Sequence, residues 1–319
     1  MSRPPLLVVA LGGNAMQDPS GDDTVPADFA RTMETARTVG DLAVSGEWRL
    51  VITHGNGPQV GNHLLRSELA HEHGHLPPLP LDVCVADTQG GLGYMLQQSL
   101  VNALHEAGAP AVVAALVTQV VVDENDPAFS KPSKPVGEMI GEERVDDLRQ
   151  RGWTLEEDPH RGGWRRVVAS PDPKEIVEAG AVAALVDEGV IVIAGGGGGI
   201  PVVQQTDGTL VGAPAVVDKD LASALLASDL GADAFLILTD VDRAFVGFKT
   251  ATEKAIDRMT VSEARVHLGD GQFPAGSMGP KVEALCRFVG STGGRGVLTS
   301  IPNARAGLAG EAGTTIAPA

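Results

Sequence analysis

The chain has 319 residues, 43% of them hydrophobic and 20% charged, with 40 glycines and a formal net charge of −17. An acidic surface argues against nucleic acid and anionic membranes as partners, and the longest apolar runs fall short of the ~20 residues that a spanning helix needs. Two cysteines, Cys84 and Cys286, and no leader-like opening segment predict free thiols in a soluble cytoplasmic protein.

The run LLVVAL over residues 6–11 predicts a buried strand that ends in the turn Gly12-Gly13-Asn14. Helical spacing follows over 27–46, with Gly46 as the stop, and then a second strand, RLVITHG. Helices are expected at about 58–72 and 87–107, and PAVVAALVTQVVVD reads as one long or two short strands. Residues 123–173 are rich in proline and charge and predict an excursion from the main sheet, a small lobe or lid. Alternation then resumes with a helix at 174–188, the strand VIVIAG, a hairpin at 202–216, a helix at 219–230 and a strand at 234–240. A helix at 277–290 and strands at GVLTS and 314–317 close the chain. Apolar strands alternating with helices predict an α/β protein whose parallel sheet is covered on both faces. No period of 20–50 residues marks a repeat architecture.

An anionic substrate on so acidic a protein needs a local cluster of cations and N–H donors. No G-x-x-x-x-G-K-[ST] sequence is present. The run AGGGGGIPVV does not complete a dinucleotide fingerprint, because Ile200 or Pro201 stands at the third glycine position and proline would end the helix that motif requires. In THGNGPQVGN a strand gives way to Gly55-Asn56-Gly57, and Pro58 suits the first turn of a helix, which aims free N–H groups at an anion. His54 reads as a packed residue. HEHGH, residues 71–75, matches the H-E-x-x-H pattern, but Gly74 and the prolines at 77 and 78 weaken the helix a zinc site needs, so no metal site is expected. Three lysine settings remain: Lys219 and Asp220 opening a helix, Lys281 just inside another, and Lys131 and Lys134 in the proline-braced excursion. Each alone reads as solvated surface. Together, beside glycine-rich strand ends, they read as a clamp for a transferring phosphoryl group.

These segments, with PLDVC, TQVVVDENDPAF, KPSKPVG, GWRRVVASPDP, LILTDVD and GSMGPKVEA, resemble the amino-acid kinase superfamily, and within it the carbamate kinases, nearly end to end. The resemblance implies a three-layer α/β/α sandwich with a mostly parallel central sheet and a protruding lid. It implies one domain over 1–319: an N-terminal lobe of about 1–189 binding carbamate, with the lid at about 123–173, and a C-terminal lobe of about 190–319 binding nucleotide. The implied reaction is ATP plus carbamate giving ADP plus carbamoyl phosphate, reversibly, with Mg2+, toward ATP synthesis in arginine catabolism, and the implied assembly is a homodimer. Carried over residue by residue, Lys134, Lys219, Asp220 and Lys281 are catalytic, with Asp220 orienting the lysines. Gly12, Gly13, Asn14, Gly55, Asn56, Gly57, Gly197 and Gly198 hold phosphate or substrate. Thr239, Asp240, Asp242, Phe245 and Met278 lie near the nucleotide base. The alternatives are a paralogous kinase for another small acid and a weakly catalytic nucleotide sensor.

Overall fold

A computed structural model describes residues 3–12, 15–17, 24–74, 76–158, 162–274 and 276–318. Its centre is an eight-stranded sheet in the order 258–260, 314–317, 295–300, 234–239, 6–11, 49–54, 191–193, 113–115. All its pairings are parallel except that of Arg295–Ser300 with Thr314–Ala317. The central strand Leu6–Leu11 is buried along its whole length, and its side chains alternate between two cores. Leu7, Val9 and Leu11 pack under the helices Val25–Val44 and Leu81–Glu106. Val8 and Ala10 pack under Lys219–Asp229 and Met278–Thr292. A strand apolar on both faces requires helices on both, which makes the three-layer α/β/α sandwich.

A four-stranded sheet lies beside this sandwich, ordered 210–212, 200–204, 119–122, 173–176. The excursion leaves from Gln119–Val122 and returns through Pro173–Ile176, which pair antiparallel. Between them lies a third sheet of Lys134–Ile140, Gly163–Val168 and Leu155–Asp158, with its own core of Ile140, Val145, Leu148 and Leu155. This outlying sheet rests on the helix Gly57–Gly74. A Cβ added at Gly61 would fall 2.1 Å from Gly137 Cα, so the two backbones meet with no room for a side chain. Arg166 bonds Glu68 at 2.8 Å and stacks 4.0 Å over Trp153, and Arg151 pairs with Glu72.

Several sequence expectations need correction. The helix expected from 174 begins at Ala179, because Pro173–Ile176 is a strand held to Gln119–Val122. Of the two readings of the run 110–123, the structure has the two short strands, Val113–Ala115 and Gln119–Val122, and they join different sheets. The second long helix starts at Leu81 rather than 87, just after Pro80. No helix among the described residues is long and apolar enough to cross a membrane.

Candidate active site

The carboxyl ends of the central parallel strands open one crevice, where ligands of open α/β sheets bind. Leu6–Leu11 delivers Gly12 there, Arg49–His54 delivers Gly55 and Asn56, and Ile191–Ile193 delivers the glycine run. Gly13 and Asn14 lie outside the described residues. The N–H groups of Gly12 and Gly55 are already spent on the carbonyls of Leu238 (3.0 Å) and Leu11 (3.2 Å). Those two N–H groups are therefore not free to hold an anion. Gly57 opens the helix Gly57–Gly74, and first-turn N–H groups have no intrahelical acceptor. Asn56 is buried, and its amide donates to Thr88 Oγ1 at 2.9 Å.

The glycine run forms one tight turn, Gly196–Gly198, followed by the strand Ile200–Gln204 instead of a helix, which removes the dinucleotide reading. Gly197 and Gly198 have φ of 67° and 92°. A Cβ at Gly197 would sit 2.3 Å from Asn56 Nδ2, and one at Gly198 2.4 Å from the Val217 carbonyl oxygen. Glycine is required there so that this turn can press against Asn56 on one side and the Val217 backbone on the other.

Three of the lysines singled out by the sequence converge. Asp220, 3% exposed, accepts Lys219 Nζ on Oδ1 at 2.6 Å and Lys281 Nζ on Oδ2 at 3.1 Å. Burial pulls the Lys219 pKa below its ordinary value against the opposing pull of Asp220, while Lys281 adds to the fall. Lys134, on the first residue of the outlying sheet, reaches Asp218 Oδ2 at 2.9 Å. Burial alone would raise the Asp218 carboxyl; Lys134, Lys219 and the Asp220 N–H outweigh it and hold it down at about 2. Three ammonium groups against two carboxylates leave a net positive cluster on an acidic protein. Lys131 stands apart as the exposed C-cap of the short helix Pro127–Ser130.

Lys281 also lines a cavity of about 360 Å3 beside Gly12. Thr239, Asp240, Phe245 and Met278 line it, as the sequence reading expects. Asp242 does not: its carboxylate accepts Ser300 Oγ at 2.5 Å and Asn303 Nδ2 at 2.9 Å and ties two strand ends together. Arg243 and Phe248 line the cavity and were not singled out from sequence; Phe248 packs 6.1 Å from Phe245. Asp218 was missed as well, although an aspartate one residue before a helix carries an N-cap signal. His54 is fully buried with Nδ1–H donating to the Gly55 carbonyl at 3.0 Å, and Nε2 has no partner. Of the HEHGH histidines, His75 lies outside the described residues, and His71 bonds the Leu76 carbonyl at 2.8 Å.

A cavity that ends at Lys281, itself joined through Asp220 to Lys219, at the carboxyl end of a sheet suits a nucleotide and the phosphoryl group it gives or takes, which places the protein among the phosphotransferases. The amino acid kinase family model matches residues 5–300, and the chain belongs to that family. It is 46% identical over 311 residues to the carbamate kinase of Thermococcus kodakarensis, covering 97% of this chain and 98% of the relative. It is 43% identical to the carbamate kinase-like protein YahI of Escherichia coli over 98% of both chains. The structure of carbamate kinase from Giardia lamblia bound to AMP-PNP superposes with a TM-score of 0.91 at 40% identity, covering both chains in full.

Proposed function

We propose that the protein is a carbamate kinase, exchanging a phosphoryl group between ATP and carbamate to give ADP and carbamoyl phosphate. The observation that carries this reading is the chain of paired charges that starts at Lys281 in the cavity, runs through Asp220 to Lys219, and continues through the neighbouring Asp218 to Lys134 on the outlying sheet. Near-full-length identity to carbamate kinases supports it. The nucleotide base occupies the cavity between Phe245 and Met278, and Lys281 and Lys219 take its phosphates. Carbamate sits against Asn56, Gly57 and the glycine turn, and Lys134 reaches over from the outlying sheet, which serves as the lid of an N-terminal lobe.

Carbamate is a carboxylate-like anion near neutral pH, so no general base is needed to make its oxygen nucleophilic. The work of catalysis is to position the anions and neutralise charge on the equatorial oxygens, which lysines on buried aspartates do without reorganising. The oxygens of Asp218 and Asp220 already hold ammonium groups and helix N–H donors, so these residues form no preformed cation cage. Mg2+ would instead arrive on the nucleotide phosphates and neutralise part of their charge there. We further place the enzyme in the cytoplasm as a homodimer, working toward ATP synthesis in arginine catabolism; its two cysteines are free and buried, in keeping with a reducing compartment.

A coupled assay of ATP formation from carbamoyl phosphate and ADP tests the reading. Turnover is expected, with much poorer use of acetyl phosphate, which has the shape but not the N–H donors. Good turnover on an amino-acid phosphate with none on carbamoyl phosphate would instead favour a paralogue for another small acid, a reading kept open by the carbamate kinase-like name of a relative at 43% identity.

A further inference from the structure

We infer that Asp218 is a positioning residue for phosphoryl transfer: one carboxylate fixes the lid lysine Lys134 over the crevice and anchors the helix that carries Lys219 and Asp220. The inference rests on the phosphotransfer reading of Lys134. Its two oxygens divide the work. Oδ1 caps the helix Lys219–Asp229, accepting the N–H of Asp220 at 2.9 Å and of Leu221 at 3.4 Å. Oδ2 accepts Lys134 Nζ at 2.9 Å, across 84 residues of sequence.

Backbone register presets this meeting. Lys134 pairs with Val168 in the outlying sheet. The next residue, Ala169, bridges Ala215, and its carbonyl accepts the Val216 N–H at 3.0 Å. The base of the outlying sheet is thereby zipped to the segment two residues before Asp218, and Lys134 emerges opposite that carboxylate. Asp220 cannot replace it, because each of its oxygens already holds a lysine.

The pairing has a mechanical consequence. A lysine on a four-carbon stem samples many rotamers, and ordering it costs entropy. Asp218 meets that cost in the resting protein, so the charge is in place before the phosphoryl group moves. Asp218 itself touches no substrate and acts through Lys134.

Asp218→Asn keeps a capping oxygen and removes the charge; Asp218→Ser does the same with a shorter side chain. In the carbamoyl phosphate and ADP assay both are expected to lower kcat about tenfold or more, with ADP Kd by calorimetry within about twofold of wild type. In a Lys134→Ala background, Asp218→Asn should change kcat by less than about twofold. An unchanged kcat in Asp218→Asn, or an undiminished loss in the Lys134→Ala background, overturns the inference. If the wild-type protein does not turn over carbamoyl phosphate, the functional reading fails on its own, and the pairing is read by carboxyl 13C NMR. There Lys134→Ala should move the Asp218 titration up toward the ordinary carboxylate range, and an unmoved titration overturns the positioning role.

Discussion

Two lysine–aspartate arrangements serve one crevice, and they are built differently. Lys219, Lys281 and Asp220 sit on helices of the sandwich itself, with side chains 12%, 16% and 4% exposed. Lys134 stands on a three-stranded sheet that meets the body through a small apolar cluster, in which its Val136 and Val168 pack with Val60, Leu64, Val85 and Val216, and through the Gly61–Gly137 approach, a few ion pairs and the Ala169–Ala215 bridge. The first arrangement is fixed by the main core. The second depends on how one small sheet docks. Charges that hold the nucleotide throughout belong on the rigid part, whereas a charge needed chiefly in the transition state can be brought by a separate piece.

That difference is sharpest in Lys134→Ala. Loss of one preorganised donor to a developing charge costs about 10²–10³ in kcat, and on the proposed reading nucleotide affinity should hardly change, because Lys134 does not line the cavity assigned to the base. Steady-state kinetics beside an ADP titration check it. Turnover within about threefold of wild type would remove Lys134 from the chemistry and turn attention to Lys131. Lys219→Ala and Lys281→Ala should behave otherwise. Each should weaken ATP binding about tenfold and lower turnover with it, since a charge-assisted bond to phosphate is lost in ground and transition states alike. Unchanged ATP affinity in both variants would place them elsewhere.

The same contrast explains what could be read from sequence. Continuous apolar strands such as LLVVAL and AFLILT announced a sheet buried on both faces, and glycines at strand ends announced where the chain turns into the crevice. Helix-opening positions made Lys219 and Lys281 visible, as did the prolines around Lys134. Long-range pairing was not legible. Nothing local tells that Asp218 meets Lys134, or that Asp242 turns to Ser300 and Asn303 instead of the cavity. Arg243 and Phe248 escaped because the hairpin Ala244–Val246 with Lys254–Ile256 has strands too short to carry a periodicity. At Pro173–Ile176 the tertiary pairing overrode a stretch that reads as a helix start.

A change at the docking joint separates lid position from charge. Gly61→Ala puts a methyl group into the Gly137 backbone, which cannot yield as a side-chain tip would, so the helix and the outlying sheet must move apart. Every lysine and aspartate of the crevice is retained. If lid placement matters as argued, kcat falls about tenfold while the ADP Kd and the main unfolding transition stay close to wild type. A variant as active as wild type would show that the sheet tolerates displacement and that Lys134 finds its place regardless.

The smallest effect expected belongs to the body, where buried His54 immediately precedes the Gly55-Asn56-Gly57 turn. Burial lowers its pKa from 6.5 to about 4; the Gly55 carbonyl opposes this, and Lys219 reinforces it. The native imidazole is therefore neutral at pH values where the unfolded chain takes up a proton. Because the unfolded state binds more protons in the window between 6.5 and 4, stability is fully present above 6.5 and is lost as pH falls toward 4. Between pH 7 and pH 5.5 this one group should remove about 1 kcal/mol. Carboxylates titrate on the same limb, so the comparison is between wild type and His54→Gln, whose amide stays neutral throughout. Urea unfolding at both pH values should show a fall in stability smaller by about 1 kcal/mol in the variant, whatever the substitution costs at pH 7. The outlying sheet should be indifferent to this change, since the Asp218 carboxyl, held at about 2, does not titrate in that window. Parallel pH limbs for the two proteins would mean that the native imidazole accepts a proton as readily as the unfolded one, and that the unpartnered Nε2 is solvated after all.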